Sequence, residues 1–272
     1  MAFADSEGVQ IYYDDTGEGE PALLCLPGLT NDHTIFAPLV ARLSADHRVL
    51  VMDLRGHGES QAPDGDFGFA EMAGDAVAVI RDSGARSVIP IGQGQLPWVG
   101  VELRRRLGER VPKMVASSWP VISARGNPLA PGFLGAMEAV QDEARWRETA
   151  EQVVTMFVGG APASVQTQIR NQMLRSHGYE MWSRAGREIS AVFAREGDPL
   201  TALSKLSPPV PVLHVYAQPP APEYLSTQES FARDNPWFHV RRLEAASQFP
   251  TLEVPNETAA VIREFIDEQA DL

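Results

Sequence analysis

The stretch Ser87-Val88-Ile89-Pro90-Ile91-Gly92-Gln93-Gly94-Gln95-Leu96-Pro97 decides how this chain is read. A short β-rich run enters two closely spaced glycines, and a helical pattern opening near Leu96 leaves them. Working outward, strands are expected at residues 9–13, 22–26, 48–53, 87–91 and 113–117, with helices at about 34–43, 70–82 and 96–107. From about residue 120 to 206 no strand pattern occurs. That segment reads as several helices rich in Trp, Met and charge. Pro208-Pro209-Val210-Pro211 marks the return to strands at 212–216 and 238–243, and Pro255-Asn256-Glu257 opens a closing helix with Val261, Ile262, Phe265 and Ile266 on one face. The alternation predicts an α/β protein with a mostly parallel sheet and helices on both faces. Its core is expected in residues 1–119 and 207–272, under an inserted helical lid of residues 120–206.

Composition removes several functional classes. The 272 residues are 44% hydrophobic, enough for a substantial core, and 36 acidic against 23 basic residues give a net charge of −13. Such a surface repels phosphate backbones and anionic lipid, so neither nucleic acid nor membrane is an expected partner. The N-terminus, Met-Ala-Phe-Ala-Asp-Ser-Glu-Gly, has no basic or apolar leader region, and no apolar run reaches membrane-spanning length. A soluble, unexported, cytoplasmic protein is expected. Cys25, the single cysteine, cannot form an internal disulfide, and the six histidines lack metal-ligand spacing, so no metal is expected. The sequence carries no sign of oligomeric state.

Strand, glycine-flanked turn and helix form the layout of a nucleophile elbow, in which Gly-x-Ser-x-Gly raises a hydroxyl above the sheet. Leu26-Pro27-Gly28-Leu29 lies where an oxyanion-hole loop belongs, and Asp53-Leu54-Arg55-Gly56-His57-Gly58 follows the next strand. On these motifs the chain resembles the α/β-hydrolase fold. The chemistry of that layout is missing, however, because Gly94 stands at the nucleophile position and Ala246-Ser247-Gln248-Phe249-Pro250 offers Gln248 in place of an imidazole. An amide neither takes nor releases a proton near neutrality, so a Ser-His-acid hydrolase is excluded at two of three positions.

A narrower resemblance rests on Asp66-Phe67-Gly68, Arg145-Trp146-Arg147-Glu148, Gly178-Tyr179-Glu180-Met181-Trp182 with Gly186-Arg187, Gln218-Pro219 with Pro222-Glu223-Tyr224, Pro236-Trp237-Phe238, and Phe249-Pro250 with Val254-Pro255. Over nearly the whole chain it resembles the cofactor-independent dioxygenases that open the ring of 3-hydroxy-4-oxoquinolines and 3-hydroxy-4-oxoquinaldines. The resemblance implies that no cofactor is needed. It also implies a mechanism in which a histidine, held by an aspartate, removes the substrate's hydroxyl proton, and the anion then passes an electron to dioxygen. By that resemblance the histidine falls on Gln248, the aspartate on Ser118 and the elbow serine on Gly94. The elbow's two flanking histidines fall on Gln93 and Gln95, and a further histidine of the oxyanion loop falls on Asn31.

Dioxygen is a ground-state triplet, and its reaction with a singlet organic molecule needs a one-electron step that a cofactor usually supplies. A hydroquinone, anthraquinol or polyhydroxylated polyketide that ionises unaided supplies that electron itself. Such a substrate needs orientation, exclusion of water and oxyanion stabilisation. Gln93, Gln95, Gln248 and Asn31 are expected to donate to its oxygens, with the backbone N–H groups of Leu29 and Gln95 as an oxyanion hole and Gly94 leaving room for a large ring. Thr30, His33, Trp98, Ser118, Trp119, Phe157, Trp182 and Phe249 are the other expected contacts. His33 is either a replacement base or a first-turn surface residue, whereas His57 is expected to serve the scaffold. The expected function is a cofactor-independent oxygenase that uses O2 on an electron-rich planar aromatic, a hydroxyanthraquinone-type polyketide or a hydroxyquinolone, in secondary metabolism. Two other classes fit these residues: a non-catalytic ligand-binding protein, and a non-oxidative lyase, isomerase or cyclase.

Overall fold

The computed structural model describes residues 1–125 and 132–268. Its strands are β1 (Ala2–Ser6), β2 (Val9–Thr16), β3 (Ala22–Leu26), β4 (Val49–Met52), β5 (Val88–Gln93), β6 (Met114–Ser117), β7 (Val212–Tyr216) and β8 (Phe238–Arg242). They form one sheet in the order β1-β2-β4-β3-β5-β6-β7-β8, antiparallel where β2 meets β1 and β4 and parallel elsewhere. Every residue of β3 through β7 is buried, which explains why these strands read as unbroken apolar runs: a parallel sheet is covered on both faces.

The helices are α1 (Ala37–Leu43), α2 (Phe69–Asp82), α3 (Pro97–Leu107), α4 (Phe133–Ala139), α5 (Trp146–Val158), α6 (Ala163–Arg170), α7 (Tyr179–Glu196), α8 (Pro199–Leu203), α9 (Pro222–Asp234), α10 (Pro250–Glu253) and α11 (Pro255–Asp267). α1 packs with α11, and α2 packs with α3. Between β6 and β7 the chain makes a helical insert, α4 to α8, with a π-helical turn at Asn171–Arg175, and no strand occurs there among the described residues. No helix among the described residues is long and apolar enough to cross a membrane.

Two features differ from the sequence-based expectation. β1 was not expected, because Ala2–Ser6 carries little apolar signal and leaves Phe3 half exposed. It forms because Glu7 and Gly8 take φ of 53° and 87°, a two-residue turn of the kind that closes hairpins and sets Ser6 opposite Val9. The helix expected over residues 34–43 is divided into a 3-10 turn, His33–Phe36, and α1. The Asp32 side chain caps the first piece by accepting from the Thr34 N–H at 2.9 Å, and Pro38 lies in the first turn of the second.

The parallel strands all end at one edge of the sheet, where ligands of open α/β folds bind. At that edge β5 passes into α3 through an approach that only glycine permits. A Cβ on Gly92 would stand 2.5 Å from the Pro97 nitrogen and 2.7 Å from the Leu96 carbonyl carbon. Gly94 takes φ 62°, donates its N–H to the Ser117 carbonyl at 2.9 Å, and has open space where a Cβ would lie. Two glycines in one turn therefore have different reasons. Gly92→Ala is expected to lower stability by ~1–3 kcal/mol through overpacking against backbone. Gly94→Ala should lower it by about 1 kcal/mol, through the left-handed backbone alone. Urea unfolding midpoints check the order, and a Gly94→Ala that is the more damaging of the two would contradict it.

Candidate functional site

Between the sheet edge and the insert lies a cavity with about 710 Å3 of empty space, counted out into the open solvent at its mouth, at a place where open α/β folds bind small molecules. Nineteen residues line it. The core contributes Gly28, Leu29, Thr30 and Asn31 after β3, Gln93, Gly94 and Gln95 at the elbow, Ser118 and Pro120 after β6, and Gln248 and Phe249 before α10. The insert contributes one apolar face from each of three helices: Phe133 and Met137, Val153 and Phe157, and Trp182, Ala185 and Ile189, each set at helical spacing. Met173, from the π-helical turn, completes the wall. Among the described residues no Asp, Glu, His, Cys, Tyr, Lys or Arg lines the cavity. Nor do three or more His, Cys, Asp or Glu side chains gather anywhere among them to hold a metal.

A buried carboxylate sets the loop after β3. Asp53, fully buried, accepts the His33 backbone N–H at 2.6 Å, His33 Nδ1 at 2.9 Å and the Glu59 N–H at 2.9 Å. A Cβ at Gly58 would collide with this carboxylate, which explains the glycine in Arg55-Gly56-His57-Gly58. Arg55 in turn makes a two-point ion pair with buried Asp75 of α2, at 2.7 and 2.5 Å. His57 donates from Nδ1 to the Arg55 carbonyl at 2.9 Å and accepts the Thr30 N–H at Nε2, at 3.1 Å. Both ring nitrogens are thus used within the scaffold, and burial beside His177 pushes this imidazole down to about 3. Thr30 takes φ 69°, a left-handed conformation that a bulky residue adopts only where its surroundings enforce it.

The four amides at the cavity have fixed polarity. Gln93 Nε2 donates to the Gln248 backbone carbonyl at 2.8 Å, and Gln248 Nε2 donates to the Gln218 carbonyl at 3.1 Å. Gln172 donates from Nε2 to the Asp32 carboxylate at 2.8 Å, so its Oε1 is the atom that accepts from Asn31 Nδ2 at 3.0 Å. Gln95 accepts at Oε1 from the Trp98 indole N–H at 3.1 Å. A carbonyl and a carboxylate only accept and an indole only donates, so none of these amides can be turned over without loss. Three of the four therefore spend an N–H on the protein. Gln93 Oε1 remains buried without a partner, as does Ser118 Oγ, on a residue held at φ 51°. The backbone N–H groups of Leu29 and Gln95 have no acceptor among the described residues.

This arrangement corrects several expectations. The amides of Gln93, Gln248 and Asn31 were expected to donate to a ligand; each has one N–H engaged by a protein acceptor and keeps a second. His33 does not line the cavity, because Asp53 holds both its backbone and its ring, which lies 5.0 Å from the Tyr12 ring. Trp98 and Trp119 also stand behind the lining. Their rings meet edge to face at 4.8 Å, and Trp98 packs on Phe193 of α7. Leu29, Thr30, Asn31, Gln93, Gly94, Gln95, Ser118, Phe157, Trp182, Gln248 and Phe249 are all placed around the cavity. Phe133, Met137, Val153, Ala185 and Ile189 were missed, although their spacing of three or four on insert helices was available as a signal. Gln172 gave none, since a glutamine on an amphipathic helix reads as surface.

The comparisons with known proteins follow this geometry. Residues 21–93 match the α/β-hydrolase fold family. Over 93% of both chains it is 31% identical to a 2-heptyl-3-hydroxy-4(1H)-quinolone dioxygenase of Mycobacteroides abscessus. It is 32% identical to the 1H-3-hydroxy-4-oxoquinoline 2,4-dioxygenase of Pseudomonas putida, over 98% of this chain and 99% of that one. The solved structure of a 1H-3-hydroxy-4-oxoquinoline 2,4-dioxygenase superposes with a TM-score of 0.91 at 31% identity, covering 98% of this chain and 100% of the other. A structure described as cleaving the ring of the Pseudomonas quinolone signal, solved with its product, also gives 0.91, at 30% identity over 98% of this chain and 100% of that one. The fold is that of the α/β-hydrolases. Within it, the chain belongs to the family of the hydroxyquinolone 2,4-dioxygenases.

The histidines packed into the scaffold give the stability of the fold a pH signature. Burial pushes His57 down to about 3 and His214 down to about 4, from an ordinary value of 6.5. Burial also lowers His177 and His239. A lowered imidazole stabilises the fold above 6.5 and loses that contribution as pH falls toward its folded value. His33, raised by its hydrogen bond to Asp53, has the opposite sign: its contribution is complete below 6.5 and fades as pH rises through its folded value. Urea titrations should show the unfolding free energy falling from pH 6.5 to 5. Proton NMR should show the His57 and His214 rings unchanged over pH 8 to 5, and a His57 signal titrating near 6.5 would contradict the placement described here.

Proposed function

We propose that this protein is a cofactor-independent oxygenase whose aromatic substrate supplies its own acidity. The observation that carries the reading is a largely apolar cavity with no titratable group among its described lining residues, in a chain that belongs to the hydroxyquinolone dioxygenase family. A phenol-like hydroxyl with a pKa near 10 is ionised about one part in a thousand at pH 7, a deficit of roughly 4 kcal/mol. A base in the cavity would offset that deficit, and Gln248, Ser118 and Gly94 offer none. The substrate hydroxyl must therefore be acidic enough to release its proton to water. Its anion gives one electron to dioxygen, and the two radicals combine as a peroxide that collapses to a ring-cleaved product or, where the substrate is at the hydroquinone level and supplies two further electrons, to a hydroxylated or epoxidised quinone with the second oxygen leaving as water. The protein's part is to orient the ring, exclude water through the insert and offer the Leu29 and Gln95 N–H groups to the oxyanion.

Acidic hydroxyquinolones and hydroxyanthraquinone-type polyketides both have the planarity and electron richness required, and such compounds place the reaction in secondary metabolism. Oxygen uptake by metal-stripped protein with a panel of both classes is expected to exceed the protein-free rate, with label from isotopic dioxygen in the product. Saturable binding without uptake would instead establish a ligand-binding protein, and turnover under nitrogen would establish a non-oxidative enzyme.

The pH profile gives a second test. With no cavity group to titrate, kcat/KM is expected to rise tenfold per pH unit up to the pKa of the substrate and then level off. The break should follow that pKa across ring-substituted substrates. A break at one fixed pH for all substrates would mean that the protein supplies the base.

A further inference from the structure

We infer that Gln93 selects ligands carrying a protonated N–H or O–H on the ring, because its side-chain carbonyl is a buried acceptor that nothing in the protein satisfies. The proposal rests on the cavity being the aromatic site. It adds which hydrogen-bond polarity the ligand must present there.

Three observations converge. Gln93 closes β5 at 2% exposure and lines the cavity, and its Nε2 is committed to the Gln248 backbone carbonyl. Turning the amide over would set carbonyl against carbonyl, so Oε1 is the atom left over, and it is buried without a partner. Of the buried unpartnered side-chain atoms among the described residues, only Gln93 Oε1 and Ser118 Oγ belong to lining residues. The two are neighbours in the sheet: Gln93 pairs with Ser117 across β5 and β6, and the Gly94 N–H reaches the Ser117 carbonyl.

A buried acceptor without a donor is unfavourable in the free protein, and a ligand recovers that loss only by bringing a hydrogen to it. An ionised oxygen or a bare lone pair at the same place meets a carbonyl dipole and is rejected. The cavity thus reads two polarities, an oxyanion at the Leu29 and Gln95 N–H groups and a donor that stays protonated at Gln93. Ligands of this class are planar vinylogous amides with a ring N–H, or quinones with a hydroxyl beside the carbonyl. Ser118, which can donate or accept, fits either.

The test uses the full chain without oxygen, so that binding is read apart from turnover, through quenching of the fluorescence of its five tryptophans, of which Trp182 lies in the cavity wall. Matched ligands keep their shape and exchange one donor for a group with no hydrogen: ring N–H for ring oxygen in a 3-hydroxy-4-quinolone against the corresponding 3-hydroxychromone, and hydroxyl for fluorine in 1-hydroxyanthraquinone against 1-fluoroanthraquinone. In at least one pair the donor-bearing ligand is expected to bind about tenfold or more tightly. Gln93→Met should remove most of that difference while leaving the donor-free ligand nearly unaffected. Discrimination in the first pair alone identifies a ring N–H, and in the second alone a hydroxyl. Should Gln93→Met fail to fold, the proton shift of a nitrogen-15-labelled quinolone N–H, expected to move downfield on binding the unaltered protein, carries the test. Equal binding within both pairs overturns the role of Gln93 and leaves the cavity as an aromatic site. No binding by any of the four overturns both readings.

Discussion

The carboxylate of Asp53 is buried at the head of β4, and the loops of the cavity are built around satisfying it. A charge in that position is tolerated only with its lone pairs occupied, and the partners come from two directions: the backbone and ring of His33 from the β3 loop, and the Glu59 N–H from its own. Once these bonds are made, the β3 loop cannot move independently of β4. Thr30 is then brought to the Nε2 of His57, and Leu29 and Asn31 take their places on the cavity wall. The Arg55–Asp75 pair anchors the same turn to α2. A second brace comes from the insert, where Gln172 on the π-helical turn holds Asn31, Asp32 and Thr34 together. π-helical turns are often found at functional sites, and here the turn puts a glutamine where three polar groups of the core can reach it.

These braces set the polarity of the cavity as well as its shape. Each amide has an orientation dictated by a backbone carbonyl, a carboxylate or an indole. The wall consequently combines fixed acceptors with free backbone donors, and none of its described lining residues titrates near neutrality. Chemistry in such a place depends on what the ligand brings. The contribution of the protein is geometry and solvent exclusion, and both follow from the apolar helix faces that the insert lays over the sheet edge.

Much of the fold was legible in the sequence because its signal is physical and local. Strands buried on both faces must be apolar throughout, and the glycines of the elbow are demanded by a 2.5 Å approach and a left-handed backbone. β1 was not legible, since it is an edge strand that buries little and depends on the Glu7-Gly8 turn. At the site, sequence reasoning found the core half of the cavity but not most of the insert half. Phe133, Val153 and Ile189 look like any helix-core residue until the face opposite the sheet is known. The polarity of the amides was beyond local reading, because Gln93 is oriented by a carbonyl at residue 248 and Asn31 by a glutamine at residue 172. His33 and Trp119 were misplaced for the same reason: their directions are set by Asp53 and Trp98, not by their neighbours in the chain.

The empty space beside Gly94 bears on how such a chain changes over evolutionary time. The turn is shaped by Gly92, by the Gly94 N–H and by the close packing of β5 on α3, so a side chain at position 94 bears on folding only through its left-handed backbone. A nucleophile there must sit in a left-handed conformation that strains any L-residue by about 1 kcal/mol, and glycine does not bear that strain. Where the hydroxyl stops contributing to fitness, selection for stability alone favours its loss. The same vacancy makes the step reversible, for a side chain can return without disturbing a neighbouring atom. In this scaffold a hydroxyl can be gained or lost at position 94 while the architecture around it stays fixed, and nucleophilic chemistry returns only if a base also returns at position 248.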